Sequence, residues 1–433
     1  MGSKKSRREF LGLSTAAGLG ITLGLHSCKG KYKPARVNPN DKINVGLVGC
    51  GQRGIDQIWA GMKHLDEYQM VAICDVIEER LNKTRRLMPN EVKKYRDYRQ
   101  LIANDEVDMV IVAVPLKWHF QISKAAILAN KHVVCEKSMT YSIREAIELE
   151  SLAGDHNKSF RVSFEKHNNP AYIVAKELVD KNITGEIIHI DCSWYRRDSW
   201  RKDIEKPHQI IEFPTGEKMS RDSLLNWRMS MDKGGGLMGE LICHQLDAVE
   251  WILETSHVRK ASGYGNIGFW KDGRTSYDNI HASLEYDNNL IITCNSILSN
   301  AREGYSISIY GRNGTIELAG NSGIFYPEET ATEKLNDKID AVTGASYKLV
   351  KTAPERKLKE DKENLERDYY SQFVGGYTLD TLMGYKKMAK KIMNNGPFPN
   401  TAAKGKHNAI AVQMANNAMH QGGVHSWKKE YGE

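Results

Sequence analysis

The sequence lacks the features that mark zinc-binding and redox-dithiol proteins. Its seven cysteines form no C-x-x-C pair and show no zinc-ligand spacing, so no metal site is predicted. No internal repeat is present. Most cysteines lie within or beside apolar stretches and are predicted to be small core residues, namely Cys50, Cys74, Cys135, Cys192 and Cys294.

The main body of the chain also lacks a net charge. The formal charge of +7 comes from the first 40 residues, which hold eight Lys or Arg and one acid, Glu9. From Asp41 onward, 53 basic residues balance 53 acidic residues. No nucleic-acid partner is predicted, because binding nucleic acid requires a basic surface. The length of 433 residues suits two domains.

Residues 1–28 are predicted to be an export signal. Arg7 and Arg8 precede an uncharged, glycine-rich stretch that reaches Leu25, a pattern that resembles a twin-arginine signal. This stretch is too short and too weakly apolar for a stable membrane span. Residues 25–28 resemble a lipoprotein cleavage site, with Cys28 as a lipid anchor to a membrane. Residues 29–41 are predicted to be a linker, and the expected location is the periplasm; a disordered basic tail is the alternative.

A glycine-rich turn follows the apolar run at 43–48 and predicts a dinucleotide site. The turn is G-C-G-Q-R-G, with glycines at Gly49, Gly51 and Gly54. Such glycines allow a tight turn, close approach of the pyrophosphate and close packing of the following helix. A second apolar run ends in Asp75, 21 residues after Gly54, where a carboxylate accepts ribose hydroxyls and repels a 2′-phosphate. NAD is therefore the predicted cofactor.

The order of apolar runs predicts an α/β protein with two parts. Runs at 109–114, 132–136 and 160–164 alternate with helical stretches, which indicates a doubly wound parallel sheet over residues 42–165. After residue 166, a strand at 187–195 has Ile188, Ile190, Cys192 and Trp194 on one face, and a turn at 287–289 indicates a hairpin. Residues 166–433 are thus predicted to form an α/β domain with a large, mainly antiparallel open sheet. Residues 328–368 are predicted to be a charged surface excursion.

Together these residues resemble the Gfo/Idh/MocA family, which includes glucose–fructose oxidoreductase and inositol dehydrogenase. The resemblance runs from about Lys42 to the C-terminus. Its markers are the glycine turn, Val114-Pro115 with His119, Glu136-Lys137, Gly234-Gly235-Gly236, His244 with Asp247, and Gly311-Arg312-Asn313-Gly314. The resemblance implies a Rossmann domain followed by an α/β domain whose open sheet often joins subunits. A homo-oligomer, either a dimer or a tetramer, is therefore expected.

The resemblance also implies the site residues. In the family, a lysine after Glu assists proton transfer, and an acid and a histidine four residues apart complete the site; here these are Lys137, Glu240 and His244. Two positions depart from the family, because Ser138 replaces a proline and Glu240 replaces the commoner Asp. On an α-helix Asp247 would share a face with His244 and hold its imidazole. The expected cofactor-binding residues are Gly49, Gly51, Gln52, Arg53, Gly54, Asp75, Val114, Pro115, His119, Glu136, Lys137 and Lys166.

A group of aromatic and basic residues is predicted to form a carbohydrate subsite. Aromatic faces stack on sugar C–H surfaces, while charged side chains bind sugar hydroxyls. The candidate substrate-binding residues are Trp118, Lys166, Trp194, Arg196, Trp227, Arg228 and Asp247.

These residues predict an exported NAD-dependent oxidoreductase that acts on a sugar or glycoside hydroxyl and retains its NAD. A second interpretation is an NAD-dependent glycoside hydrolase, which oxidises, eliminates, hydrates and reduces again. Relatives of this family that are NAD-dependent glycoside hydrolases lack a lysine in the position of Lys137, which favours the dehydrogenase. A third is a non-catalytic glycan-binding lipoprotein.

Overall fold

The computed structural model describes residues 42–328 apart from 157, 256 and 321, residues 379–394, and residues 400–432. The predicted signal, the linker up to residue 41 and nearly all of the predicted surface excursion lie outside the described residues.

The N-terminal half forms a six-stranded parallel sheet in the order β3-β2-β1-β4-β5-β6, which confirms the predicted doubly wound parallel sheet. Its strands are β1 (Ile43–Val48), β2 (Tyr68–Cys74), β3 (Lys93–Tyr95), β4 (Met109–Val112), β5 (His132–Cys135) and β6 (Phe160–Val162). All residues of β4 and β5 are buried, which explains their continuous apolar sequence. The sequence did not predict β3, because this short edge strand contains two exposed lysines and no apolar run.

The helices of this region begin at recognisable capping residues, and the last of them, Pro170–Asp180, packs on the sheet of the second domain. A π-helical turn (Arg53–Trp59) continues as α1 (Ala60–Met62), followed by α2 (Glu78–Leu87), α3 (Tyr98–Ile102), α4 (His119–Leu128), α5 (Ile143–Gly154) and α6 (Pro170–Asp180). Ser142 and Glu145 form a capping box at the start of α5. Asn169 caps α6, with Pro170 at the first helical position.

The second sheet has eight strands in the order β15-β14-β13-β7-β12-β11-β10-β16. Its strands are β7 (Ile187–Tyr195), β10 (Val258–Asn266), β11 (Asn279–Tyr286), β12 (Ile291–Ile297), β13 (Tyr305–Gly311), β14 (Gly314–Ala319), β15 (Ser322–Pro327) and β16 (His425–Ser426). Within the described part of this second sheet, only the pair of β7 with β12 is parallel, so the predicted mainly antiparallel character and the hairpin are confirmed. On the face predicted for β7, Ile190 and Cys192 are fully buried, whereas Ile188, at the start of the strand, is 55% exposed.

The rest of the described chain forms a small hairpin and further helices, of which Leu379–Met393 packs into the core of the first sheet. The hairpin consists of β8 (Ile210–Glu212) and β9 (Lys218–Ser220), and the helices are α7 (Arg221–Leu225), a π-helical turn (Met238–Ile242) that continues as α8 (Cys243–Leu253), α9 (Leu379–Met393) and α10 (Ala402–Gln421). Short 3₁₀ turns lie at Leu116–Trp118, Lys166–Asn168, Trp227–Met229, Asp287–Asn289 and Lys429–Tyr431.

The five cysteines predicted to be core residues are all buried and unpaired, as is Cys243. Within the described ranges, no His, Cys, Asp or Glu group is arranged to hold a metal ion. None of the helices described is long and apolar enough to cross a membrane.

Candidate active site

A cleft of about 670 Å³ begins at the carboxyl ends of β1, β2 and β4 and extends to β7 and α8. This is the edge of a parallel sheet at which α/β proteins bind their ligands. The predicted site residues that line it are Gly49, Gly51, Gln52, Arg53, Asp75, Val114, Pro115, Trp118, His119, Glu136, Lys137, Trp194, Arg196, Trp227, Arg228, Glu240 and His244.

The glycine turn forms one end of the cleft. Gly49 has a φ of +102°, and a Cβ atom there would lie 2.2 Å from the carbonyl oxygen of Ala113. A Cβ atom at Gly54 would lie 2.1 Å from the carbonyl oxygen of Gly49, so these two glycines are required by the backbone itself. At Gly51, by contrast, the nearest atom is Nη1 of Arg80, at 3.5 Å. The middle glycine therefore leaves backbone open to the cleft.

Asp75 is held at the end of β2 by backbone donors. The amides of Cys50 and Ile77 each donate a 2.9 Å hydrogen bond to its carboxylate. Nη1 of Arg80 lies 3.8 Å from Oδ2 of Asp75. Burial raises the pKa of Asp75, while Arg80 and the two amides act in the opposite direction. The carboxylate borders the cleft next to the glycine turn, as the spacing from Gly54 predicted.

A charge network joins the glycine turn to the ends of β5 and β6. Arg53 Nε lies 3.0 Å from Glu136 Oε2, and Arg53 Nη2 lies 2.6 Å from Glu165 Oε1. Burial favours a higher pKa for Glu165, but Arg53 and other nearby cations lower it to about 2. Arg53 is thus engaged with two carboxylates rather than directed only at a ligand. The sequence analysis missed this role of Glu165, although the residue directly follows an apolar run.

Lys137 and Glu240, which are 103 residues apart, meet at the other end of the cleft. Lys137 Nζ donates to the carbonyl oxygens of Glu240 (3.0 Å) and Gly239 (3.4 Å), and lies 3.7 Å from Glu240 Oε2. Arg228 Nε donates to the same carboxylate oxygen at 2.7 Å. Burial favours a higher pKa for Glu240, but Lys137 and Arg228 lower it to about 2. Glu240 is therefore a carboxylate that holds two cations at the cleft.

The peptide bond between Lys137 and Ser138 is cis, and Ser138 contributes to the same junction. Its hydroxyl donates to the carbonyl oxygen of Gly239 at 3.3 Å. The ring nitrogens of His119 lie 2.9 Å from the carbonyl oxygens of Ser138 and Val114. His119 thus connects the loop after β4 to the loop that carries Lys137.

His244 lines the cleft in the first turn of α8, next to Trp194. Their rings are 5.7 Å apart in an edge-to-face arrangement, and Tyr305 packs against Trp194 at 4.9 Å. Burial and then the nearby Lys137 lower the pKa of His244 to about 3. The imidazole is therefore neutral at neutral pH and can accept a hydrogen bond.

Three predicted residues, Gly54, Lys166 and Asp247, do not line the cleft. Gly54 packs closely against the carbonyl oxygen of Gly49 within the turn. Lys166 Nζ donates to the carbonyl oxygen of Gly320 at 3.0 Å and lies over the rings of Tyr172 and Tyr305.

Asp247 does not hold His244, contrary to the helical-face prediction. Its Oδ2 lies 2.8 Å from Nε2 of His167, whose ring stacks on Trp251 at 4.8 Å. Both residues lie in α8, and the prediction considered only that helix, whereas the carboxylate of Asp247 is directed to His167 in the 3₁₀ turn after β6.

The cleft fits a dinucleotide by its donor set and shape. The open backbone at Gly51 and the carboxylate of Asp75 lie at one end, as a pyrophosphate and a ribose require. Glu136 lines the cleft beside Lys137. Its Oε1 atom is buried and has no hydrogen-bond partner in the described ranges. A hydroxyl group of a bound ligand would satisfy this oxygen.

Two family models match the chain. One describes an oxidoreductase family with an NAD-binding Rossmann fold and matches residues 43–164. The other describes the GFO/IDH/MocA C-terminal domain and matches residues 172–317. Together the matches span more than half of the chain.

Individual relatives are more distant. Inositol 2-dehydrogenase of Salmonella paratyphi B is 22% identical over 218 residues, covering 50% of this chain and 56% of that protein. Glycosyl hydrolase family 109 protein 2 of Shewanella sp. is 27% identical over 175 residues, or 38% of each chain. The chain thus spans about half the length of the curated relatives that it matches, or less.

Among solved structures, the WlbA dehydrogenase of Bordetella pertussis, in complex with NADH and UDP-GlcNAcA, has a TM-score of 0.66 at 17% identity. The match covers 90% of this chain and 99% of that one, and shows that the two share a fold. The matched family models, the two sheets and the cleft at their junction lead to one conclusion: this chain belongs to the Gfo/Idh/MocA family of oxidoreductases, with an NAD-binding Rossmann domain.

Proposed function

We propose that this protein is an NAD-dependent oxidoreductase acting on a hydroxyl group of a sugar or glycoside. The observation that carries the proposal is the cluster of Lys137, Glu240 and Arg228, which lies with His244 in the same cleft as the glycine turn. Nucleotide-binding and proton-handling groups thus border one continuous space.

The residues expected to hold the cofactor are those of the glycine turn, Asp75 and Glu136. Bound NAD would supply a hydride acceptor for the carbon that carries the reacting hydroxyl. The glycine turn offers backbone to the pyrophosphate, and Asp75 offers its carboxylate to the adenosine ribose.

The chain's own residues then position the substrate and take its proton. Two carbonyl oxygens hold Lys137 Nζ, and its third hydrogen is left for Glu240 or for the oxygen of a substrate hydroxyl. The imidazole of His244 is neutral because its pKa lies far below neutrality, so it can accept a hydrogen bond from the substrate hydroxyl, while Lys137 is the proton-transfer group. Trp194 and Trp227 offer aromatic faces to a sugar ring, and Arg228 offers donors.

The second candidate is an NAD-dependent glycoside hydrolase, supported by the match to a glycosyl hydrolase family 109 protein over 175 residues. The two functions share the cofactor and the proton-handling groups and differ in the product. A third candidate is a glycan-binding protein without catalytic activity, in which the cluster of Lys137, Glu240 and Arg228 would have no catalytic role.

One experiment separates the three. The purified full chain is incubated with a panel of glycosides, and products are identified by mass spectrometry, with Lys137→Met as the control. Loss of two hydrogen atoms indicates oxidation, cleavage of the aglycone indicates the hydrolase, and unchanged glycosides with measurable binding support the third candidate. The proposed dehydrogenase function fails if no glycoside is oxidised.

The proposal also includes export and retention of the cofactor. A protein that works outside the cytoplasm meets little free NAD, so it would leave with one molecule bound and reoxidise it in place. Adding donor sugar to desalted protein without added NAD should then produce reduced-nicotinamide absorbance. If absorbance appears only after NAD is added, retention is wrong.

A further inference from the structure

A segment of the second domain lies against the nucleotide-binding domain. We name residues 198–226, which contain β8, β9 and α7, the covering segment. Trp118 stacks on its Phe213, with ring centroids 5.3 Å apart. Two arginines of the nucleotide-binding domain donate to backbone carbonyl oxygens of the segment, Arg96 Nη2 to Glu212 (3.4 Å) and Arg99 Nη2 to Pro214 (3.1 Å). Two side-chain ion pairs join the same surfaces, Lys117 Nζ with Glu217 Oε1 (2.9 Å) and Arg221 Nη1 with Glu79 Oε1 (3.1 Å). The covering segment thus borders the adenosine side of the cleft.

Lys202 in this segment is fixed by a buried side chain. Asn226, 4% exposed, accepts a 2.8 Å hydrogen bond from the Lys202 amide and donates a 3.0 Å hydrogen bond to the Lys202 carbonyl oxygen. The Asn226 amide group also donates to Asp222 Oδ1 at 2.8 Å, which orients it. The backbone of Lys202 is therefore held in place at the cleft wall, although its side chain is exposed.

The surroundings of Lys202 are cationic. Partial burial and then the nearby Arg228 and Arg80 lower its pKa. In the part of the chain that the structure describes, no carboxylate forms an ion pair with Lys202. Arg80 and Arg228 line the same cleft as Lys202, and Arg80 Nη1 would lie 3.5 Å from a Cβ atom at Gly51, the open glycine of the turn. Cations from both domains therefore line the cleft that begins at the glycine turn.

We propose that Lys202 binds the pyrophosphate of the dinucleotide and so places a group from the second domain on the cofactor. Asn226 fixes the backbone of Lys202 at the cleft wall. Since no carboxylate in the described ranges forms an ion pair with Lys202, its ammonium group can bind an anionic ligand. The contacts of the covering segment favour the cofactor as the source of this anion over a phosphorylated sugar. This inference rests on the proposed use of NAD.

The test compares Lys202→Met with Lys218→Met in the full chain. Lys218 lies in the same segment, but its side chain is 61% exposed and its ion pair is with Glu212. NADH binding is measured by nicotinamide fluorescence, and adenosine, which has no phosphate, is the second probe. We expect Lys202→Met to weaken NADH binding about 10- to 100-fold, as for loss of a charge-assisted hydrogen bond, and to leave adenosine binding unchanged. Lys202→Arg should restore most of the affinity, and Lys218→Met should bind NADH like the wild type.

The outcomes are distinguishable. Unchanged NADH affinity in Lys202→Met overturns the inference, and if glucose 1-phosphate binding is weakened instead, the anion belongs to the substrate. Equal weakening of NADH and adenosine indicates a structural effect and also overturns it. If the wild type itself binds no NADH, the proposed function fails rather than the role of Lys202.

Discussion

Lys137 is held by the backbone of the segment that carries Glu240, so its position depends on both domains. The pair of carbonyl oxygens directs the amine, and the carboxylate binds it together with Arg228. A side chain held in this way is suited to contact one substrate hydroxyl.

We expect Lys137→Met to lower turnover by about 10²- to 10⁴-fold, the range for loss of a proton-transfer group, because methionine keeps much of the volume but has no titratable nitrogen. NADH binding should persist, which fluorescence titration would check. Lys166→Met is the comparison, since its amine contacts Gly320 outside the cleft lining and its loss should change turnover only a few-fold. Near-normal turnover of Lys137→Met would make Lys137 a structural residue.

His244 links the site to the pH dependence of stability. Its folded-state pKa of about 3 lies below its ordinary value of 6.5, so the unfolded chain binds a proton between these values that the folded chain does not. Stability therefore falls as pH drops from about 6.5 towards 3.

We expect His244→Gln to remove this contribution. The free energy of unfolding, measured with denaturant between pH 7 and pH 4, should fall less with acid in the variant than in the wild type. Parallel curves for the two proteins would show that His244 has no depressed pKa. Other buried histidines, such as His132, are present in both proteins and cancel in the comparison.

At the scale of elements, α10 positions the segment that carries Glu240 and His244. Asn408 Nδ2 donates to the Cys243 carbonyl oxygen at 3.0 Å, and Asn416 Nδ2 donates to the Gly235 carbonyl oxygen at 3.0 Å. Both asparagines are buried. They bond the backbone at each end of the π-helical turn, a kind of irregularity often found at functional sites.

Asn408→Ala should destabilise the protein by about 1–3 kcal/mol, because it leaves a buried carbonyl group without its donor. Gln413→Ala is the control on the same helix, since the hydrogen bond of Gln413 in the described ranges is to the side chain of Asn417 one turn away, and its loss should cost less than about 0.5 kcal/mol. Chemical denaturation measures both. Equal effects of the two substitutions would mean that α10 does not hold this segment through Asn408.

At the scale of the whole molecule, we propose export through the paired arginines and a lipid anchor at Cys28. The double variant Arg7→Lys, Arg8→Lys should retain full-length precursor in the cytoplasm, because the pathway for folded proteins recognises the arginine pair. Cell fractionation with immunoblotting measures this. Export of the double variant at the wild-type level would refute the signal.

The anchor is tested separately with Cys28→Ala. Export should be unchanged, while the protein should move from the membrane fraction to the soluble fraction. Membrane association equal to that of the wild type would exclude lipidation of Cys28.

The sequence alone determined the elements whose signals are local. Buried parallel strands require continuous apolar runs, so β1, β4 and β5 could be predicted. The spacing from Gly54 to Asp75 predicted where the first βαβ unit begins and ends. Even the hairpin of β11 and β12 was marked by its turn residues. Short edge strands such as β3 carry no such pattern and were missed.

The tertiary structure decided which distant charges meet. Arg53 pairs with Glu136 and Glu165, and Asp247 pairs with His167 instead of orienting His244. Pairing between residues so far apart in the sequence depends on how the two sheets and their loops pack, which no local pattern specifies. For the same reason only the fold brings Lys202, which belongs to no motif in the sequence, to the cleft that Arg80 and the glycine turn also line.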